Sequence, residues 1–260
     1  MRHPSGQRDE ERGSALAGLR MAVTDYKTWL LALIIITKTS AGAVTSFIPT
    51  VIATFGFGKI ETLLFVAPPY VFATICALTI SYTSDKLGER AYHIIIPIFF
   101  AMAGYIIAAS SMALAARYLA MFLALGGVYG SYNVALAWIS STLPRPLEKR
   151  SAAIALINTV GNLGQIYSPY LYLKQNGPRY LTAMIANSCF CLACLGATLL
   201  LRWCLKRENA KLDAAEGGDA YGVAGDGESV NKETMKGGVE MLEKMDTRWT
   251  LHGPGHRYVL

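Results

Sequence analysis

A lysine at position 38 stands inside an apolar run, LLALIIITKTSAGAV. An ammonium at mid-membrane depth costs about 3 kcal/mol on insertion scales. Lys38 lies too deep in its run to bring its head easily to the interface. A charge kept there either receives an anion or forms a permanent ion pair with a carboxylate. No apolar run of the chain contains Asp or Glu, so an acidic partner has to come from elsewhere. Thr37, Thr39, Ser40 and Gly42 surround the lysine and fit a wet, inward-facing wall, although small residues also serve simply to pack membrane helices.

A second polar set lies in SAAIALINTVGNLGQIYSPYLY, residues 151–172. At helical spacing Asn158, Asn162 and Gln165 fall on one face, with Gly161 and Gly164 beside them. An amide turned to hydrocarbon without a partner costs several kcal/mol, so this face is expected to look inward. There it either glues helices together or lines a pathway. A third set is GGVYGSYN, residues 126–133. Gly126 and Gly130 form a G-x-x-x-G contact face, while Tyr129 and Asn133 stand one turn apart and either line a cavity or only pack. Lys38, Tyr129, Asn133, Asn158, Asn162 and Gln165 are the candidate substrate-binding residues, and the chemistry they suggest is recognition of a small anion. Arg117 is expected at an interface, and His93 at the end of a span.

The turn Ser84–Arg90 reads SDKLGER. An acid, a tight glycine turn and a terminal arginine suit a charge latch between helix ends, made of Asp85, Gly88 and Arg90. The sequence carries no nucleophile–base pair, metal-ligand cluster or phosphate loop, so no enzyme activity, metal or cofactor is expected. Cys191 and Cys194 have C-x-x-C spacing but sit in an apolar run without a second pair, and are expected to pack as small apolar residues.

These residues need spans to position them. Only 16% of the 260 residues are charged, against about 25% in soluble domains, and the mean hydropathy is +0.33. The charges gather at the two ends. Six apolar stretches, at about 29–47, 63–82, 93–111, 116–138, 151–172 and 181–204, each approach the ~20 residues needed to cross hydrocarbon. The expected fold is an all-α membrane protein with one six-transmembrane-helix bundle over 28–204. A polar cytoplasmic segment, 1–27, precedes it. A largely disordered tail, 205–260, follows it, in which Met235 to Met245 could form a short amphipathic helix. Pro68 and Pro69 are expected in the opening turns of the second span. Without an apolar h-region in residues 1–20, the first span is expected to act as the insertion signal. Lys86, Arg90, Arg145, Lys149 and Arg150, with Arg20, Lys27, Arg202, Lys206 and Arg207 beside the outer spans, outweigh Lys59, Arg117, Lys174 and Arg179 on the opposite side. The positive-inside rule then places both termini in the cytoplasm. The net charge of +6 follows from that loop bias, and no basic stripe interleaved with aromatics points to nucleic acid.

The latch sequence resembles the loop motif of the major facilitator superfamily, approximately D-x-x-G-R-R, with Glu89 replacing the first arginine. The longer text AVTDYKTWL, FIPTVIATFGFG, LLFVAPPY and SYNVALAWISSTLPRPLEKRSAAIALINTVGNLGQIYSPYLY resembles the second half of fungal permeases of the anion:cation symporter family, the group of allantoate and nicotinate permeases. That resemblance implies proton-coupled uptake of small carboxylates across the plasma membrane by a twelve-span protein, of which this chain supplies spans seven to twelve. The missing six-span half, or a second copy of this chain, is then the expected partner, alongside the lipid bilayer. The rival expectation is a half that does not transport alone and acts only with a partner half, or as a regulatory or scaffold membrane protein.

Overall fold

The computed structural model describes residues 15–53, 56, 58–143, 145–173, 177, 179–222 and 258–259. Residues 1–14, Lys174 and the 235–245 segment lie outside the described residues. The regular structure among those described is helical throughout. It comprises α1 (Ala15–Thr24), α2 (Tyr26–Gly42), a 3-10 turn (Ala43–Phe47), α3 (Ile48–Ala53), α4 (Lys59–Leu87), α5 (Ala91–Ser110), α6 (Leu114–Gly130), α7 (Tyr132–Thr142), α8 (Leu147–Asn162), α9 (Gly164–Tyr167), a second 3-10 turn (Ser168–Tyr172) and α10 (Leu181–Gly222). Five stretches among the described residues are long and apolar enough to cross a membrane: Tyr26–Thr45, Ile60–Leu87, Ala91–Ser110, Leu114–Thr142 and Leu181–Ala214. The sixth expected span, 151–172, is helical but stepped at Leu163, where α8 gives way to α9 and the 3-10 turn. Large apolar side chains such as Leu64, Val71, Phe99, Leu192 and Trp203 stand exposed on the outside, as a bundle solvated by lipid requires.

Glycines set the close approaches. α5 and α6 meet backbone to backbone: a Cβ on Gly127 would stand 2.2 Å from Pro97 O, and one on Gly104 would stand 2.8 Å from Ala120 O. Gly126 and Gly130 turn to α4, against Phe72, Cys76 and Ile80, so the G-x-x-x-G face is a helix contact. Gly161 and Gly164 let α8 and α9 close on Ile35 and Ser40 of α2.

Three local expectations change. α4 opens at Lys59 rather than near Leu63, because Glu61 Oε2 accepts from Gly58 N at 3.1 Å and caps an extra turn. Pro68 and Pro69 therefore lie inside the helix. The carbonyl that Pro69 leaves without its helical donor is that of Phe65, and Tyr118 of α6 donates its hydroxyl to it at 3.1 Å. α10 continues past 204 to Gly222, since helical hydrogen bonds are local and persist into water once a span has nucleated them. The second part of the N-terminal segment forms α1, whose Gly18 sits on the backbone of Glu148 at the start of α8.

Gly127→Val is expected to cost at least 1–3 kcal/mol, the usual scale of overpacking, and to lower the melting temperature of the detergent-purified chain. Gly196→Ala, whose added Cβ meets nothing within 4 Å, is expected to leave it unchanged or slightly higher.

Candidate functional site

Near the end of the span Tyr26–Thr45, α2 tightens at Gly42 into the 3-10 turn Ala43–Phe47, and the carbonyls there accept from side-chain donors as well. Tyrosines from two other helices supply them. Tyr105 OH donates to Ala41 O at 2.7 Å and Tyr129 OH to Gly42 O at 2.9 Å. In the 3-10 turn that follows, Thr45 O accepts from Tyr70 OH of α4 at 3.1 Å. Gly42 leaves room for this arrangement, since a Cβ there would stand 3.1 Å from the Tyr129 hydroxyl.

Beside this junction lies a cavity of about 450 Å3, walled by Thr45, Tyr70, Thr74, Tyr129, Tyr132 and Asn133 with Ala73, Ala77 and Leu78. The structure thus brings together two of the expected residues, Tyr129 and Asn133, and adds Tyr70, Tyr132, Thr45 and Thr74. The Asn133 side chain is exposed, and its amide both donates and accepts. The Tyr70 and Tyr129 hydroxyls spend their protons on backbone carbonyls and offer lone pairs and ring faces. The wall has no carboxylate, thiolate or imidazole. It suits reversible binding of a small polar molecule with a flat face rather than covalent chemistry.

Lys38 lines none of the hollows described in this section. It is 1% exposed, its Nζ donates to Ser131 Oγ at 2.5 Å, and α10 brings Cys191 and Cys194 near it. Ser131 in turn donates to Gly127 O at 2.9 Å. Ser131 is the residue at which the fourth span breaks between α6 and α7. Tyr132 and Asn133, the next two residues, are in the cavity wall. The lysine is thus bonded to the residue that precedes the wall residues Tyr132 and Asn133 in sequence. It takes part in none of the ion pairs seen among the described residues.

The amides of α8 and α9 do not join the cavity. Asn158 is half-buried, while Asn162 and Gln165 are exposed. Asn162 Nδ2 donates to Asn158 O of its own helix at 2.9 Å. The glycines of this stretch, not its amides, face α2. Arg117 is not interfacial in its packing: it is 3% exposed and borders a small void with Tyr105, Met121 and Met184. Its burial is a feature that position along a span does not reveal.

At the other end of the bundle, α4 closes on Gly88 with φ +64°, a left-handed conformation that glycine adopts without a Cβ clash. Arg90 reaches Asp85 at 3.4 Å. Ser84 Oγ donates to Glu89 O at 3.0 Å. Glu89, the residue that departs from the motif, pairs with Arg202 of α10 at 3.3 Å, and that guanidinium stacks over Tyr92 at 4.0 Å. The turn is thereby tied to the last span by a reversed pair, with the acid in the loop and the arginine on the helix.

Comparison with known proteins gives concordant results. The sequence profile of the Major Facilitator Superfamily matches residues 2–169. The chain is 29% identical over 150 residues to an uncharacterised transporter of Schizosaccharomyces pombe, covering 58% of this chain and 29% of that protein. It is 31% identical over 160 residues to a provisionally named tartrate transporter of Agrobacterium vitis, covering 61% and 35%. It is 26% identical over 195 residues to the high-affinity nicotinic acid transporter of Saccharomyces cerevisiae, covering 74% and 36%. The chain thus spans about a third of the length of these relatives.

The geometry of the turn predicts a coupling between Glu89 and Arg202. Glu89→Ala, Arg202→Ala and the double variant, compared by denaturation in detergent, are expected to show a coupling energy of about 0.5–1 kcal/mol. Asp85→Ala, at a mostly exposed carboxylate, is expected to cost under about 0.5 kcal/mol.

Proposed function

The chain belongs to the Major Facilitator Superfamily, and from that premise we propose that it is one six-span half of a secondary transporter for small organic anions. The carrying observation is the cavity beside the turn that follows α2, walled by Tyr70, Tyr129, Tyr132 and Asn133, with a buried ammonium bonded to Ser131, the residue before Tyr132. A small carboxylate such as nicotinate or allantoate accepts from Asn133 Nδ2, and a flat ring such as that of nicotinate stacks on the tyrosine rings. Lys38 supplies the positive potential. At an effective dielectric of about 20, unit charges roughly 8 Å apart still attract by roughly 2 kcal/mol, so the lysine favours an anion across Ser131 without touching it. The relatives named for nicotinic acid and tartrate support a carboxylate cargo.

The rest of the cycle follows from the superfamily's architecture, in which two halves rock about a site near the midplane. The exposed amides of Asn162 and Gln165 favour a second half facing this one, since lipid does not solvate them. The missing six-span half or a second copy supplies that cover, and Asn158, Asn162 and Gln165 then add donors to the pathway. Asp85, Gly88 and Arg90, with Glu89 and Arg202, form the latch whose contacts change between states. Proton coupling draws its acid from the facing half. The end bearing Lys27, Arg90, Lys149 and Arg202 faces the cytoplasm, and the bilayer is the plasma membrane. The same exposed amides support a second reading, in which the chain alone does not transport and acts only as a partner or scaffold.

Uptake measured in cells expressing the chain alone, or joined to a six-span amino-terminal half of a relative, tests both. The joined form is expected to take up nicotinate, with competition by other small carboxylates and not by nicotinamide. Asn133→Leu is expected to raise KM about tenfold, or 1.4 kcal/mol. Uptake blind to the carboxylate overturns the anion reading, and none in either form favours the scaffold.

A further inference from the structure

Tyr258 and Val259 lie far beyond the last span in sequence, yet they are bound into the bundle. Tyr258 is 4% exposed. Its hydroxyl accepts from Lys27 Nζ at 2.9 Å, and the same ammonium stands 4.1 Å from the ring centroid. Its backbone is held on both sides by one amide: Tyr258 N donates to Asn209 Oδ1 at 2.9 Å, and Asn209 Nδ2 donates to Tyr258 O at 3.0 Å. Val259 O accepts from Trp138 Nε1 at 2.9 Å. Lys27 is itself fixed by Glu208 at 2.5 Å.

Four residues from three helices therefore act together: Lys27 from the start of α2, Trp138 from α7, and Glu208 and Asn209 from the extension of α10. An amide that pairs with both the N–H and the C=O of one residue mimics a neighbouring strand and fixes an extended backbone. An ammonium over a ring face adds selectivity for an aromatic side chain. An indole N–H placed on the next carbonyl fixes the direction of the peptide. Burial raises the Tyr258 hydroxyl above its ordinary value.

We propose that Lys27, Trp138 and Asn209 form a recognition socket for a short extended peptide carrying a tyrosine, and that its resident is this chain's own Tyr258–Val259. The docked segment is a clasp. It fastens the ends of α2, α7 and α10 at the latch end of the bundle, and the extension of α10 exists in part to carry Glu208 and Asn209 to it. This goes beyond substrate transport and does not depend on the identity of the cargo.

Hydrogen exchange and thermal unfolding of the whole chain in detergent test it. The amide of Tyr258 is expected to exchange at least tenfold more slowly in the wild type than in Asn209→Leu. Tyr258→Ala is expected to lower the melting temperature by several degrees, and Tyr258→Phe, which keeps the ring, by less. A synthetic peptide HRYVL added to purified Tyr258→Ala is expected to restore the lost stability in a saturable way, and the peptide HRAVL is not. A Tyr258 amide that exchanges equally fast in wild type and Asn209→Leu overturns the clasp. Failure of HRYVL, or equal rescue by HRAVL, overturns the socket.

Discussion

Hydrocarbon offers no hydrogen bonds, and the structure depends on how each polar group inside it finds a partner within the chain. α2 shows the constraint most plainly. At Gly42 it tightens into a 3-10 turn, and the carbonyls there accept also from Tyr105, Tyr129 and Thr45 Oγ1, with Tyr70 serving Thr45 O. The same rule brings Tyr118 to the carbonyl that Pro69 leaves without a helical donor. It also brings Ser131 to Lys38. Tyrosine suits these positions because its ring packs with apolar neighbours while its hydroxyl reaches across a helix contact.

From this constraint the cavity follows. Where α2 tightens into the 3-10 turn, the tyrosines that reach its carbonyls border a mostly apolar hollow with a few polar groups, beside the break in the fourth span. The break at Ser131 divides the tasks on either side of one turn. Ser131 faces inward to the lysine, and Tyr132 and Asn133 face the hollow. Ser131 commits its own proton to Gly127 O and accepts from the lysine.

Much of this was legible in the sequence because it follows from solubility in oil. Apolar runs near 20 residues marked the spans. Lys38 stood out as a charge that lipid resists, and Gly126 with Gly130 marked a helix contact that the structure places on α4. Other features were not legible because they are decided in three dimensions. Arg117 reads as interfacial along its span, and its burial there is seen only in the fold. The amides of 158–165 read as the inner face, whereas the glycines beside them pack on α2, and Asn162 and Gln165 stand exposed. Glu89 reads as a loss in the loop motif until Arg202, more than a hundred residues on, is seen to pair with it. Tyr70 carried a signal, a tyrosine within an apolar run, but only the 3-10 turn after α2 gives it a task. Nothing in the local sequence around Tyr258 announces that it returns to α2.

The central claim is that the buried ammonium of Lys38 gives the cavity its preference for anions from behind Ser131. The direct measurement is a cycle of dissociation constants for nicotinate and nicotinamide, in wild type and Lys38→Met, in the complete two-half carrier. Methionine keeps the length and packing and removes the charge. The account predicts that the wild type prefers the acid by about tenfold or more, equivalent to 1.4 kcal/mol, and that Lys38→Met binds acid and amide alike. A preference for the acid that survives Lys38→Met intact would contradict it.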